Sequence, residues 1–228
     1  MELTNKIKEK IKESALLNPN KECCGFILSN DAVIECKNRA EDSNVHFIIT
    51  AGDIKKVRKK GNIVAVYHTH VPGDYEKNQD QLSKEDIIIS EYFNVTSILY
   101  SLIEDKFYIH EPTGKPIDYI GRPYVRGVLD EFNLIKDYYK KELNIGINDF
   151  SNKNLDIFFK NNGFVQTNEI KKHDILIIKK PDIMEKKPAI FVGNNQIIIQ
   201  YEFDSSKIVE YSYGMQKWTE KTYRHNKM

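Results

Sequence analysis

Residues 63–70 read Ile-Val-Ala-Val-Tyr-His-Thr-His, an apolar run that ends in two histidines. The β-branched and aromatic residues predict a buried strand. Side chains two positions apart in a strand point to the same face, so His68 and His70 can converge at the strand's end. Two neutral imidazoles and a carboxylate are a common ligand set for a divalent metal, most often zinc. This stretch therefore predicts the middle of a sheet and one side of a metal site.

Three further polar residues complete the candidate site. Ser83 and Asp86 follow the histidines, and Glu22 lies far upstream, at the start of an apolar run. A hydrolytic metal site needs an open coordination position and a nearby base, and Glu22 is the candidate base. The order Glu22, His68-x-His70, Ser83-x-x-Asp86 resembles the motif of the JAMM (MPN+) metalloprotease family.

The resemblance covers roughly residues 1–112 and implies an α/β unit in which one sheet is flanked by helices. It also implies one bound zinc and a peptidase activity. The implied roles are metal ligation by His68, His70 and Asp86, proton abstraction from water by Glu22, and oxyanion stabilisation by Ser83.

The segment between His70 and Ser83 is longer than in that family. The extra residues fall in the polar stretch 71–80, which contains turn-forming residues. Because loops absorb insertions at a small entropic cost, we interpret the extra residues as a longer loop beside the site.

Each of these residues also has an ordinary interpretation. Histidines near a strand end are more often surface or packed residues than metal ligands. Ser83 is a good helix N-cap with Asp86 three positions later, which is a variant of the capping box. Glu22 can be a charge at a strand edge. The conjunction of all five residue types in family order favours the metal site.

Composition bounds the remaining function classes. The chain has 228 residues, of which 40% are hydrophobic and 29% are charged, and its formal net charge is +1. No basic stripe alternates with aromatic residues, so general nucleic-acid binding is not predicted. No apolar stretch approaches the roughly 20 residues that span a bilayer. Cys23, Cys24 and Cys36 show no metal-binding spacing and are expected to be reduced.

Periodicity predicts the following elements. In the first half we expect helices at 3–17, 52–60 and 84–93, and strands at 24–28, 32–36, 45–50, 63–67, 95–103 and 106–110. Residues 113–119 are the predicted linker. This segment directly follows a proline and itself contains a glycine and a proline, which are typical of turns and loops. In the second half, residues 120–228, we expect helices at 130–143 and 155–162 and strands at 175–179, 189–192, 196–201 and 207–211, an α+β arrangement.

The second half resembles an NlpC-type, papain-like cysteine peptidase domain. The resemblance rests on residues 121–135 and on the later strand 187–193. It places Glu131 where the family has its cysteine and Lys187 where it has its histidine, with a third polar residue near position 199 or 200. Since no cysteine follows Cys36, this half has no thiol nucleophile, and we expect a silent second site.

A JAMM half followed by an NlpC-like half resembles the tail assembly proteins of long-tailed phages. The resemblance implies a location in the host cytoplasm during assembly and then in the virion tail. It implies other tail-tip proteins as partners and a protein with a ubiquitin-like domain as a substrate. Two alternatives remain open, a purely structural tail-tip protein and a host JAMM enzyme that processes ubiquitin-like sulfur carriers.

Overall fold

The fold is described from a computed structural model of the chain. The structure describes residues 2–44, 46–72, 81–125, 128–148, 155–181, 186–201 and 204–228. The chain divides into two compact units, Met1–Pro116 and Ile117–Met228. The first contains a mixed five-stranded sheet with helices and the second a six-stranded antiparallel sheet with helices. The chain as a whole is therefore an α+β protein.

The first unit is built on a sheet with the strand order β2-β1-β3-β4-β5. Its strands β3 and β4 are parallel and are joined through α3, and the other neighbouring pairs are antiparallel. The helices are α1 (Asn5–Leu17), α2 (Ala51–Arg58) and α3 (Lys84–Phe93), and the strands are β1 (Cys24–Leu28), β2 (Val33–Cys36), β3 (Ile63–His70), β4 (Thr96–Ser101) and β5 (Lys106–His110).

Both faces of this sheet are covered, which explains why β1 is buried along its whole length. Ile27 packs on one face in a cluster with Ile7 and Ile11 of α1. Phe26 packs on the other face in a cluster with Val57 of α2. A strand with two buried faces reads as a continuous apolar run, because neither face needs polar side chains.

The expected strand at 45–50 is wrong. Residues 46–50 form no strand, and residue 45 lies outside the described residues. The Asn38 side chain makes hydrogen bonds to the backbone of this segment, in place of those that a neighbouring strand would make. It accepts a hydrogen bond from the Ile48 amide (3.1 Å) and donates one to the His46 carbonyl (2.9 Å). Thr50 then caps the N-terminus of α2. The other expected helices and strands of this unit are confirmed to within a few residues.

The second unit has the strand order β10-β9-β8-β7-β11-β6, and all its neighbouring pairs are antiparallel. Helix α4 packs on β8 and β9 through one face of the sheet. The helices are α4 (Glu131–Leu143), α5 (Leu155–Asn161) and α6 (Tyr213–Trp218), and the strands are β6 (Phe164–Thr167), β7 (Ile175–Ile178), β8 (Lys187–Gly193), β9 (Gln196–Gln200), β10 (Ser206–Glu210) and β11 (Thr219–His225).

Three elements of this unit were missed from the sequence, namely β6, α6 and β11. Strand β11 is the instructive case, since it lies inside the sheet although its sequence is rich in charge. Its charged side chains reach partners elsewhere in the unit, as in the pairs Lys186–Glu220 and Arg224–Asp174. Ion pairs of this kind form only through tertiary contacts. The strand therefore lacks the alternation of apolar and polar residues that would predict it from the sequence.

Turn chemistry follows the expected residues. Asn194 and Asn195 connect β8 to β9 with φ values of 49° and 57°, as a two-residue hairpin turn requires. Gly163 follows α5 with φ 80°, a left-handed conformation that suits glycine after a helix. Among the helices in the described part of the chain, none has both the length and the apolar character needed to cross a bilayer.

Candidate active site

The two histidines of β3 lie at the end of the parallel strand pair. His68 is in register with Leu99 of β4, and His70 with Ser101. Alternation along the strand puts both imidazoles on one face, and their ring centroids are 5.1 Å apart. Helix α3 starts after the loop that leaves this strand end. The β3–α3–β4 connection therefore collects polar residues where the parallel strands finish, a common location for sites in such sheets.

His68 is buried, with 3% of its surface exposed. Its ring stacks on Phe47 at a centroid distance of 4.7 Å, and its Nε2 lies 3.7 Å from Oδ2 of Asp86. Burial lowers the pKa of His68 to about 4, although the nearby Asp86 acts in the opposite direction. The imidazole is therefore neutral at pH 7, and a neutral imidazole is the form that binds metals.

Ser83 and Asp86 form the capping box that the sequence predicts for α3. The Ser83 hydroxyl accepts a hydrogen bond from the Asp86 amide (3.1 Å) and donates one to Asp86 Oδ2 (2.7 Å). The Ser83 amide also donates to Oδ2 (2.9 Å). Asp86 is 7% exposed and approaches His68, so one carboxylate caps the helix and also borders the histidine pair.

Glu22 reaches the same place from the start of β1. It is 5% exposed, and its Oε1 lies 3.8 Å from His70 Nε2. Burial, followed by repulsion from the negative Asp86, raises the pKa of Glu22 to about 8. A carboxyl group with this pKa can exchange a proton near neutral pH. A raised carboxyl pKa of this kind is common among catalytic acids and bases.

The backbone beside Glu22 is tied to the strand that carries the histidines. Thr69, between His68 and His70, accepts a hydrogen bond from the Cys23 amide through its hydroxyl (2.9 Å). Its own amide donates to the Cys23 carbonyl, also at 2.9 Å. The Asn38 side chain donates to the Glu22 carbonyl (3.0 Å). These bonds fix the position of Glu22 relative to β3.

Four of the five predicted site residues thus form two close pairs, His68–Asp86 and His70–Glu22, and Ser83 joins through Asp86. Sequence reasoning missed Phe47, Asn38 and Thr69, which support them. Phe47 lies in the segment that we expected to be a strand, and Asn38 has no motif around it. Thr69 alone carried a signal, because it lies inside the His-Thr-His triplet.

The fit of a metal can be tested on these distances. Among the described residues, no group of three or more histidine, cysteine, aspartate or glutamate side chains is arranged to hold a metal ion. Ligand atoms around a tetrahedral zinc, each about 2.1 Å from it, lie roughly 3.4 Å apart. The His68–Asp86 pair, at 3.7 Å, is within roughly half an ångström of that spacing, whereas the His70–Glu22 pair joins a predicted ligand to the predicted base. The donor types fit zinc, and one of the ligand pairs is close to a ligand spacing.

Asp86 is the side chain that would have to adjust most. Its Oδ2 already accepts two hydrogen bonds from Ser83. The polar stretch that follows the histidines lies largely outside the described residues, since residues 73–80 are not described.

The predicted silent site of the second unit lies at the start of α4. Glu131 is the first residue of this helix and is 8% exposed. The Asp130 carboxylate caps the helix by accepting hydrogen bonds from the Phe132 and Asn133 amides. Gln200 ends β9 and is 1% exposed, and neither of its amide atoms has a hydrogen-bond partner among the described residues.

Strand alternation separates Lys187 from this helix. Lys187 begins β8 and shares a side with Ala189, which packs in the cluster on the sheet face opposite α4. Ile190, which points the other way, packs against α4. The ion pair between Glu131 and Lys187 that the sequence suggested stays a prediction.

Comparison with known proteins gives a distant relationship. No protein-family model matches the chain. The chain is 23% identical over 133 residues to the tail tip assembly protein K of Escherichia phage N15, across 57% of this chain and 52% of that protein. It therefore spans about half the length of the curated relative it matches. The chain is thus distantly similar to a phage tail tip assembly protein.

Proposed function

We propose that this chain is a phage tail-tip assembly protein whose first unit is a zinc-dependent peptidase of the JAMM type. The supporting observation is that Glu22, His68, His70 and Asp86, from three separate segments of the chain, meet in two close pairs in which all but the half-buried His70 are buried. Burying ionisable groups costs free energy. Residues that serve only the solubility of the surface are therefore not expected to cluster in this way. The distant similarity to a tail tip assembly protein supports the biological context.

In this proposal His68, His70 and Asp86 hold the metal. A bound zinc would supply a Lewis acid and lower the pKa of a water molecule. Glu22 would act in its ionised form, accepting a proton from the attacking water and passing it to the leaving amine; a nearby cation would favour that form against the burial that raises the pKa of this carboxyl. The Ser83 hydroxyl donates a hydrogen bond to the developing oxyanion. To do so it exchanges its present acceptor, Asp86, for the substrate oxygen.

The proposed substrate is a peptide or isopeptide bond in a partner protein of the tail tip, with a ubiquitin-like domain as the first candidate. Other tail-tip proteins are the proposed structural partners. The second unit would contribute binding and no chemistry, since it lacks a thiol after Cys36.

Metal analysis of the purified protein tests the first step. We expect about one zinc per chain in the wild type and loss of zinc in the variant His68→Ala/His70→Ala. The matched control is His46→Ala/His110→Ala, which also removes two imidazoles but neither of the predicted ligands. Wild-type protein that stays metal-free in the presence of zinc, with its fold intact, would overturn the proposal.

A purely structural tail-tip role is the second candidate. It is favoured by the capping box, which already gives Ser83 and Asp86 a role in stabilising α3. In that case, the wild type and Glu22→Gln should support tail assembly equally well. An assembly assay with the two proteins side by side separates the candidates, because a peptidase requires Glu22 and a scaffold does not.

A further inference from the structure

We propose that a basic pocket in the second unit binds an acidic peptide segment that carries an apolar side chain, presented by a partner protein. The pocket has a volume of about 500 Å³. This size lies within the range of natural ligand sites. Its wall includes four cationic side chains, from Lys171, Lys172, Arg224 and Lys227, and no aspartate or glutamate side chain.

Two of these four cations are already compensated. Arg224 makes paired hydrogen bonds to the buried Asp174, through Nε at 2.9 Å and Nη2 at 2.8 Å. Lys171 Nζ lies 3.3 Å from a Glu169 carboxylate oxygen. Arg224 therefore belongs to the structure of the wall, and Lys171 contributes little net charge.

The other two cations carry the proposal. Lys172 and Lys227 are exposed, and within the described residues neither has an ion-pair partner. Two uncompensated ammonium groups on one concave wall attract carboxylates, and a concavity strengthens their combined field. The carbonyl end of α4 borders the pocket through Leu143, but its partial charge of about half an electron is smaller than either lysine's.

The backbone next to Lys172 is held in an unusual conformation. His173 has φ 78°, which is uncommon for a residue other than glycine. Its Nδ1 lies 2.6 Å from the Tyr138 hydroxyl, and its carbonyl accepts a hydrogen bond from the Tyr139 hydroxyl. When Tyr138 donates to Nδ1, the His173 Nε2 carries a proton and can donate to a ligand. Two buried tyrosines thus fix the pocket's rim in one shape.

The rest of the wall decides the ligand class. Leu143, Ile145 and Met228 add apolar surface to the wall of the pocket. A hydrated phosphate polymer gains nothing from an apolar wall, whereas a peptide with acidic and aliphatic side chains uses both parts. Methionine also adapts its shape to varied side chains, which suits peptide binding.

The pocket is separate from the silent site discussed above. Glu131 begins α4 and Leu143 ends it. The rise along an α-helix places two such residues roughly 18 Å apart. Binding here consequently needs neither the proposed zinc site nor the lost cysteine position.

Fluorescence anisotropy on the full chain tests the proposal. The probe is a labelled hexapeptide with the sequence glycine-serine-glutamate-aspartate-glutamate-leucine, used at low salt, where screening is weak. We expect saturable binding that weakens by roughly tenfold or more in Lys172→Glu/Lys227→Glu. The matched control, Lys160→Glu/Lys217→Glu, reverses two exposed charges of the same unit outside the pocket and should bind within about twofold of the wild type.

Two altered peptides test the chemistry of the ligand. Replacing the three acidic residues by their amides should abolish measurable binding. Replacing leucine by serine should weaken it by about fivefold or more, since an apolar side chain no longer leaves water. Both double lysine variants should have the melting temperature of the wild type. This result would establish that their fold is intact.

Three results would overturn the proposal. One is unchanged binding in Lys172→Glu/Lys227→Glu, which would place the peptide on another surface. Another is equal loss of binding in the control variant, which would indicate a general charge effect. The last is binding of inorganic polyphosphate without binding of the hexapeptide, which would identify a phosphate polymer as the ligand.

Discussion

The candidate sites of the two units differ in how their buried polar side chains are paired. In the first unit, His68 faces Asp86 and His70 faces Glu22, so each ionisable group has a partner of complementary chemistry. In the second unit, Gln200 is equally buried, but neither of its amide atoms has a hydrogen-bond partner among the described residues. The contrast is confined to the candidate sites, because elsewhere in the described residues the first unit leaves the buried Tyr67 hydroxyl without a partner and the second pairs the buried Asp174 with Arg224.

The comparison also shows that a helix N-terminus can serve two roles. In the first unit, Asp86 caps α3 and still approaches His68. In the second, Asp130 satisfies the amides of α4, and the next residue is Glu131. The resemblance to NlpC-type peptidases implies a thiolate at this position, where this chain has a second carboxylate, Glu131.

Removing the carboxylate of Glu22 should have the largest effect. We expect Glu22→Gln to retain zinc and to lower peptide hydrolysis by on the order of a hundredfold or more, because general-base catalysis is lost. Glu131→Gln is the matched control in the second unit and should leave hydrolysis unchanged. The measurement is the cleavage rate of a ubiquitin-like fusion, with zinc content determined in parallel. Undiminished cleavage by Glu22→Gln would remove Glu22 from the mechanism.

Removing the Ser83 hydroxyl should have the next largest effect. We expect Ser83→Ala to lower hydrolysis by roughly a hundredfold, through loss of one oxyanion donor. It should also lower the free energy of unfolding by about 1 kcal/mol, through loss of the α3 cap.

A second capping residue separates these two effects. Thr4 caps α1 of the same unit by accepting a hydrogen bond from the Ile7 amide. Thr4→Ala should therefore lower stability by a similar amount and leave hydrolysis unchanged. If both variants lose activity equally, Ser83 acts through stability and not through the oxyanion.

The sequence predicts those parts of the site that depend on local patterns. The apolar run before His68 and the spacing of Ser83 and Asp86 are local, and both predicted the observed β3 and α3. The approach of Glu22 to His70 is not local, because these residues meet only through the pairing of β1 with β3. Its prediction depended on a family resemblance.

The fold shows the same division. Strand β1 was predicted with its observed bounds, since both of its faces are apolar. Strand β11 was missed because its charges find partners far along the chain, as Lys221 does in Asp156. The segment at 46–50 was wrongly predicted as a strand, because the sequence does not show that Asn38 takes its hydrogen bonds.

Replacing Gln200 tests the comparison between the two units, and its expected effect is smaller. Gln200→Met keeps the side chain's length and removes an amide that has no partner within the described residues. We expect the free energy of unfolding to rise by about 1 kcal/mol, since an unsatisfied buried polar group no longer loses its hydration. Urea denaturation at constant pH measures the change. A loss of stability would show that the Gln200 amide has a hydrogen-bond partner in solution.

Restoring a thiol in the second unit should have the smallest effect of all. We expect Glu131→Cys, made together with Glu22→Gln so that the first unit is silent, to release no peptide from peptidoglycan. A thiol with an ordinary pKa of about 8.5 is mostly protonated at pH 7 and is a poor nucleophile. The helix start cannot lower that pKa much, because its Phe132 and Asn133 amides already donate to the negative Asp130. Cleavage by this double variant that persists under zinc chelation would mean that the second unit contains a working base for a thiol at position 131.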